Sequence, residues 1–197
     1  IAVFISGRGS NLNSIIQYFN SNRNLVSIEL VVTNTFKALG LEIAKNNSID
    51  TYVLDETNTY NKLYETLSLK KVDLIVLAGF LKKIPDFLID KFENRIINIH
   101  PALLPAFGGK GMYGDNVHKA VFEKSCKVSG VTVHFVNKIY DEGIIIAQEA
   151  VQISDINDYH EIAERVLKIE HKLLPQIIEY FAKNRIIIKE NRVFIAE

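Results

Sequence analysis

The sequence predicts an α/β fold in a single domain, about residues 1–197, with a mainly parallel sheet flanked by helices and an antiparallel extension in the C-terminal half. Three observations lead there. Through the first hundred residues, short apolar runs alternate with stretches whose apolar residues recur at helical spacing. Those runs lack the apolar/polar alternation of a half-exposed strand, as strands covered on both faces do. After Pro101, a glycine-rich segment gives way to two β-rich runs joined by a short turn. The whole chain has 197 residues, 48% hydrophobic and 23% charged, with 4 Pro and 10 Gly, so it is a folded globule and not a disordered segment. A domain of this length buries roughly 70% of the surface its unfolded chain exposes.

Ile1 to Ser6 is the first strand, stopped by Gly7. Leu12, Ile15, Ile16 and Phe19 then mark an amphipathic helix, with Ser10 or Asn11 as its N-cap. Strands follow at about Ile28–Thr33, Thr51–Leu54, Leu74–Ala78 and Arg95–Ile99, separated by helices near Leu39–Asn46, Tyr60–Leu69 and Pro85–Lys91. This alternation is Rossmann-like and demands a helix-covered parallel sheet. Gly108, Gly109, Gly111 and Gly114 place four of the ten glycines in seven residues, the pattern of a mobile loop, before a helix near Asp115–Lys124. Val128–Val136 and Ile144–Ile153 form the antiparallel extension. A long helix, about Asn157–Lys183, and a hairpin, Ile186–Ile195, complete the chain.

Charge narrows the function. Lys plus Arg and Asp plus Glu both number 23, so no net field draws the chain to a nucleic-acid backbone or an anionic membrane. The longest apolar run, Leu74–Leu81, is far short of the ~20 residues that span a bilayer. Cys126 is the lone cysteine, which excludes an internal disulfide framework and a Cys-rich zinc site and fits a reducing cytoplasm. The chain opens at Ile1 without a methionine and already strand-like, which leaves open a short missing start or a removed targeting segment.

Gly7-Arg8-Gly9-Ser10-Asn11-Leu12 lies where amides at a helix start face an anion. The dinucleotide fingerprint requires glycine at position 12 and an acid closing the second strand; the chain has Leu12, then Thr33 and Asn34. One phosphate monoester and a bare glycine turn capped by Ser10 both fit. Asn98 and His100, two apart at a strand end, leave on the face opposite Ile97 and Ile99. At the carboxyl end of a parallel strand, an amide and an imidazole can polarise a carbonyl and move a proton, although a histidine hydrogen-bonded in a tight turn fits equally. Asp141 sits in the Tyr140-Asp141-Glu142-Gly143 turn, where acids are commonly solvated caps. Brought beside His100, it would favour the imidazolium and raise the pKa of the ring. His134 faces either that site or the core.

Glu170 falls on the apolar stripe Tyr159, Ala163, Val166, Leu173, Ile177 and Phe181 of the long helix. A buried acid needs a partner, either a polyhydroxyl ligand aimed at by a kink at Pro175 or a local ion pair with Arg165, Lys168, His171 or Lys172. Lys82 and Lys83 end the fourth strand region as a solvated rim. His118, His160 and His171 have no metal-ligand spacing and are assigned no chemistry.

Taken together, the motifs resemble the phosphoribosylglycinamide formyltransferase family over essentially the whole chain. Ile5-Ser6-Gly7-Arg8-Gly9-Ser10-Asn11-Leu12 is similar to its phosphate-binding opening, and Leu77-Ala78-Gly79-Phe80 to its folate-side strand. Asn98-Ile99-His100-Pro101-Ala102-Leu103-Leu104-Pro105 is similar to its catalytic segment, and Gly130 to His134 with Asp141 and Gly143 to its second one. The resemblance implies a formyltransferase fold, with a phosphate-binding half at about 1–100 and a folate and catalytic half at about 101–197. It implies formyl transfer from 10-formyltetrahydrofolate to glycinamide ribonucleotide in the cytoplasm, without a metal, by a monomer or homodimer. It makes Asn98, His100 and Asp141 catalytic and gives Gly9, Ser10, Asn11 and Glu170 to the nucleotide. Leu81, Lys82, Lys83, Ile84, Asn98, Asn137, Lys138, Ile139, Tyr140 and Asp141 line the folate pocket. At Leu81-Lys82-Lys83 the chain departs from the Met-Arg-Ile common in the family. Related alternatives are a formyltetrahydrofolate deformylase, a methionyl-tRNA formyltransferase and a non-catalytic nucleotide- or folate-binding module.

Overall fold

β1 (Ala2–Ile5) is buried along its whole length, as a strand sealed on both faces must be, and it forms the centre of a parallel sheet. It pairs with β2 (Leu30–Thr33) on one side and β4 (Ile75–Leu77) on the other, in registers that set Val3 against Val31 and Val76. β3 (Thr51–Val53) extends the sheet beyond β2, and β5 (Ile96–His100) pairs with β4, so the order is β3-β2-β1-β4-β5. The protein is seen in a computed structural model that describes residues 1–20 and 25–196. The chain divides into two compact units, Ile1–Asn98 and Ile99–Glu197.

In the first unit, helices return the chain between parallel strands, as parallel pairing requires. They are α1 (Ser10–Phe19), α2 (Gly40–Asn46), α3 (Tyr60–Leu69) and α4 (Asp86–Lys91). α1 turns Leu12, Ile15, Ile16 and Phe19 inward, the residues its periodicity marks, but its N-cap is Gly9 and not Ser10 or Asn11. Ser10 is already helical, and no side chain caps the start. The reason is backbone geometry. Gly9 holds φ +76, a left-handed conformation that serine adopts only with strain, and the tight turn out of β1 requires it there.

The second unit holds α5 (Asp115–Glu123), the antiparallel pair β6 (Val128–Phe135) and β7 (Ile145–Gln152), α6 (Tyr159–Ala182) and the hairpin β8 (Ile186–Lys189) with β9 (Arg192–Ile195). The architecture is thus α/β with a mainly parallel sheet and an antiparallel strand pair in the C-terminal half. α6 runs through Pro175 as one helix. Its buried face carries Ile162, Val166, Ile169, Glu170, Leu173, Leu174, Ile177 and Ile178, so the stripe is wider than expected and Tyr159, Ala163 and Phe181 are only half-buried at its margin. No helix among the described residues is long and apolar enough to cross a membrane.

Candidate active site

His100 ends β5 and is 3% exposed, while Asn98, on the same face two residues earlier, is half-buried. Past the strand, the chain is pinned to β6 and β7. Thr132 donates its hydroxyl to Ala102 O at 2.7 Å and accepts Leu104 N–H at 3.0 Å, and Gln148 donates to Leu104 O at 2.8 Å. Segment 101–114 then turns back tightly enough for the Phe107 carbonyl to meet His100 Nε2 at 2.8 Å. A carbonyl only accepts, so Nε2 carries a proton. The other ring nitrogen, Nδ1, lies 3.7 Å from Asp141 Oδ2.

Asp141 sits at φ +56 in the turn between β6 and β7. Its Oδ2 accepts the Gly109 N–H at 2.8 Å, and its Oδ1 lies 3.6 Å from His134 Nε2. Gly108 is what allows the loop this close, since a Cβ there would stand 2.5 Å from Leu104 Cδ2 and 3.2 Å from Asp141 Cβ. The glycine-rich segment is therefore a run of tight turns, one of whose amides holds the carboxylate.

The two ends of this contact shift in the same direction for opposite reasons. Burial pushes the His100 pKa down, and this outweighs the pull of Asp141 and of the Phe107 carbonyl, so the ring lies below its usual value. Asp141 pulls the His100 pKa upward, as expected of an acid beside it, but desolvation outweighs that pull. Burial pushes Asp141 up, and the His134 and Gly109 hydrogen bonds, with the charges of His100 and His134, overcome it and hold the carboxyl below its usual value. His118 on α5, to which the sequence assigns no chemistry, is buried at 6% exposure, with Nδ1 lacking a hydrogen-bond partner. Burial lowers its pKa to about 4, opposed by Asp115 and reinforced by His100. Its polar sequence neighbours conceal this burial, and Val117 and Val121 on the same helix are the signal that could have revealed it.

In the first unit, the Gly7–Leu12 turn leads into α1, whose start no side chain caps, and Asn11 is buried within it. A Cβ on Gly9 would stand 2.7 Å from Gly40 Cα, which packs the starts of α1 and α2 together. Ser6, just before, donates to Asn34 Oδ1 at 2.6 Å and accepts Leu81 N–H at 2.9 Å. This ties the Gly7–Leu12 turn to the Leu81–Ile84 rim. On that rim Leu81, Lys82 and Lys83 are exposed and Ile84 is buried; Lys82 Nζ lies 5.7 Å from the Tyr60 ring centre.

In the second unit, the Asn137–Tyr140 segment is exposed, with Asn137 Oδ1 accepting Ile139 N–H at 2.9 Å. Glu170 is 8% exposed on the buried face of α6. Arg165, offered as its partner, is instead bidentate to Asp155, at 2.8 and 2.6 Å. Among the described residues, no group of three or more His, Cys, Asp or Glu is gathered to hold a metal ion.

Residues 1–178 match the family model described as Formyl transferase. The chain belongs to the formyl transferase family. Within that family, it is 42% identical to the Arabidopsis thaliana protein named phosphoribosylglycinamide formyltransferase, chloroplastic, over 98% of this chain and 68% of that protein. The Bacillus subtilis phosphoribosylglycinamide formyltransferase is 36% identical over 90% of this chain and 92% of its own length. The crystal structure of phosphoribosylglycinamide formyltransferase from Anaplasma phagocytophilum superposes with TM-score 0.92 at 32% identity, covering all of this chain and 92% of that one. His100 and Asp141 of this formyl transferase come together, and Asn98 shares the strand face of His100.

Proposed function

We propose that this chain transfers the formyl group of 10-formyltetrahydrofolate to the amine of 5-phosphoribosylglycinamide, giving formylglycinamide ribonucleotide and tetrahydrofolate in purine biosynthesis. The observation that carries the reading is the His100–Asp141 contact at the carboxyl end of β5, with Asn98 two residues earlier on the same face. Gly9, Ser10 and Asn11 take the phosphate and Glu170 the ribose hydroxyls. Leu81, Lys82, Lys83 and Ile84, with Asn98 and Asn137 to Asp141, hold the folate. Lys82, over the Tyr60 ring, and Lys83 supply the cations of that rim. The lone Cys126 suits a reducing cytoplasm.

The amine nitrogen attacks the formyl carbon, and the C=O electron pair moves onto oxygen. The Asn98 amide donates to that oxyanion, an interaction of the kind that contributes about 10²- to 10³-fold. Buried His100 starts neutral and takes the proton that the amine loses as the new C–N bond forms. Asp141 then stabilises the imidazolium, which gives a proton to the departing folate nitrogen as the old C–N bond breaks, a role of the kind that contributes about 10²- to 10⁴-fold. The neutral ring carries its proton on Nε2 and its lone pair on Nδ1, so the amine's proton enters at Nδ1, beside Asp141, and Nε2 gives its own proton to the departing folate nitrogen in place of the Phe107 carbonyl.

The test is a transfer assay with both substrates beside a control lacking the glycinamide. Formylated product matching the tetrahydrofolate released, with little release in the control, is the expected result. Equal release with and without acceptor would establish a deformylase instead.

A further inference from the structure

Asn34 follows β2 directly, near where a dinucleotide fold carries its acid, and the structure gives it another task. Its Oδ1 accepts the Ser6 hydroxyl at 2.6 Å. A hydroxyl has one proton, and with that proton directed to Asn34 the lone pairs of Ser6 Oγ face elsewhere. One of them receives the Leu81 N–H at 2.9 Å. The backbone N–H of Ser6 donates to the Gly79 carbonyl at 3.1 Å.

Ser6 thus joins the segments that follow β1, β2 and β4 at the carboxyl end of the sheet. It lies beside the point between β1 and β4 where the strand order reverses, the place where ligands of open α/β sheets gather. The turn it leads into is held on its far side to α2, since Gly7 O accepts the Gly40 N–H at 3.2 Å. The rim is held on its far side to α3, since Lys83 O accepts the Tyr60 hydroxyl at 3.3 Å. Between turn and rim stands Ser6. Leu81 is 53% exposed, so water takes its amide whenever the Ser6 contact opens.

We infer that Ser6 is a positioning residue whose hydroxyl couples the nucleotide turn to the folate rim, so that each ligand strengthens the binding of the other. The inference rests on the reading that Gly9, Ser10 and Asn11 take the phosphate and Leu81 to Ile84 hold the folate. Two states differ in one contact. In the closed state Ser6 Oγ holds the Leu81 amide, and in the open state both groups turn to water. A phosphate that orders the turn fixes the backbone beside Ser6 and favours the closed state, so the rim is in place before the folate arrives. By linkage, the folate favours the nucleotide to the same extent.

Calorimetry on the full chain with glycinamide ribonucleotide and a non-reactive folate analogue tests this. In wild type, saturating nucleotide should tighten analogue binding about three- to tenfold, the size of one hydrogen bond, and the analogue should tighten nucleotide binding by the same factor. In Ser6→Ala that factor should fall below about twofold. At saturating nucleotide, KM for the formyl folate should rise about three- to tenfold in this variant while kcat stays within about twofold, a split that a general loss of stability does not produce. Independent affinities in wild type overturn the inference, as does undiminished coupling in Ser6→Ala or a loss confined to kcat. If Ser6→Ala does not fold, Asn34→Ala decides: it removes only the acceptor that orients the hydroxyl, so the coupling should weaken, and full coupling there overturns the inference. A wild-type chain that couples the two ligands but transfers no formyl group refutes the reaction alone. One that transfers formyl groups while binding the ligands independently refutes the inference alone.

Discussion

His100 and Asp141 are held together under opposing pressures, burial favouring a neutral pair and hydrogen bonding favouring the carboxylate. Either residue alone leaves an incomplete proton path. His100→Ala and Asp141→Asn should each lower kcat by about a hundredfold or more with smaller changes in KM, and the double variant should fall well short of the product of the two losses. Stopped-flow or steady-state rates on the three variants check this, and independent, multiplying losses would separate the two roles. His118 gives a second prediction, on stability. Its folded pKa of about 4 lies below the ordinary 6.5, so the folded chain binds fewer protons than the unfolded chain between those values. Stability from this group is therefore complete above pH 6.5 and is lost as pH falls toward 4, by at most about 3 kcal/mol. His118→Leu should remove that slope, and urea unfolding at pH 7, 5.5 and 4 should show the variant gaining on wild type only in acid.

At the scale of elements, the α1 start brings one unusual dihedral and one close approach to the same residue. Gly9→Ala forces a Cβ into the left-handed region and to 2.7 Å from Gly40 Cα, so the α1 turn and its amides must shift. Nucleotide affinity should fall at least about tenfold and stability by about 1–3 kcal/mol, while a folate analogue should bind nearly as in wild type. Calorimetry on the folded variant tests this, and equal loss of both ligands would contradict separate sites. Much of this scale was legible beforehand. α3 occupies Tyr60–Leu69 as its periodicity predicts, and the β strands fall within a residue or two of their apolar runs because glycine and polar breakers flank them. The cap was not legible, because Ser10 and Asn11 are good capping types and only the φ of Gly9 displaces them. The balance of charge at His100 was equally hidden. Sequence can place an acid near a histidine, but the burial that outweighs the acid arises from segment 101–114 and β6 folding around it.

For the whole molecule, equal numbers of acidic and basic residues place the isoelectric point at about 7.1. A protein without net charge loses the repulsion that keeps copies apart, and Phe194 and Ile195 expose apolar surface on the terminal hairpin. Light scattering at fixed concentration should show attraction greatest near pH 7 and repulsion returning by pH 9; a flat profile would mean that this hairpin surface and the zero charge have no effect. The Gly9–Gly40 contact has a consequence for shuffling this chain with its relatives. A crossover between those two positions takes each glycine from a different parent, and a parent bearing any side chain at either position contributes half of a lock that no longer closes. Recombination breakpoints in this interval are thus constrained by two residues distant in sequence, and libraries built here should keep positions 9 and 40 on one parental block.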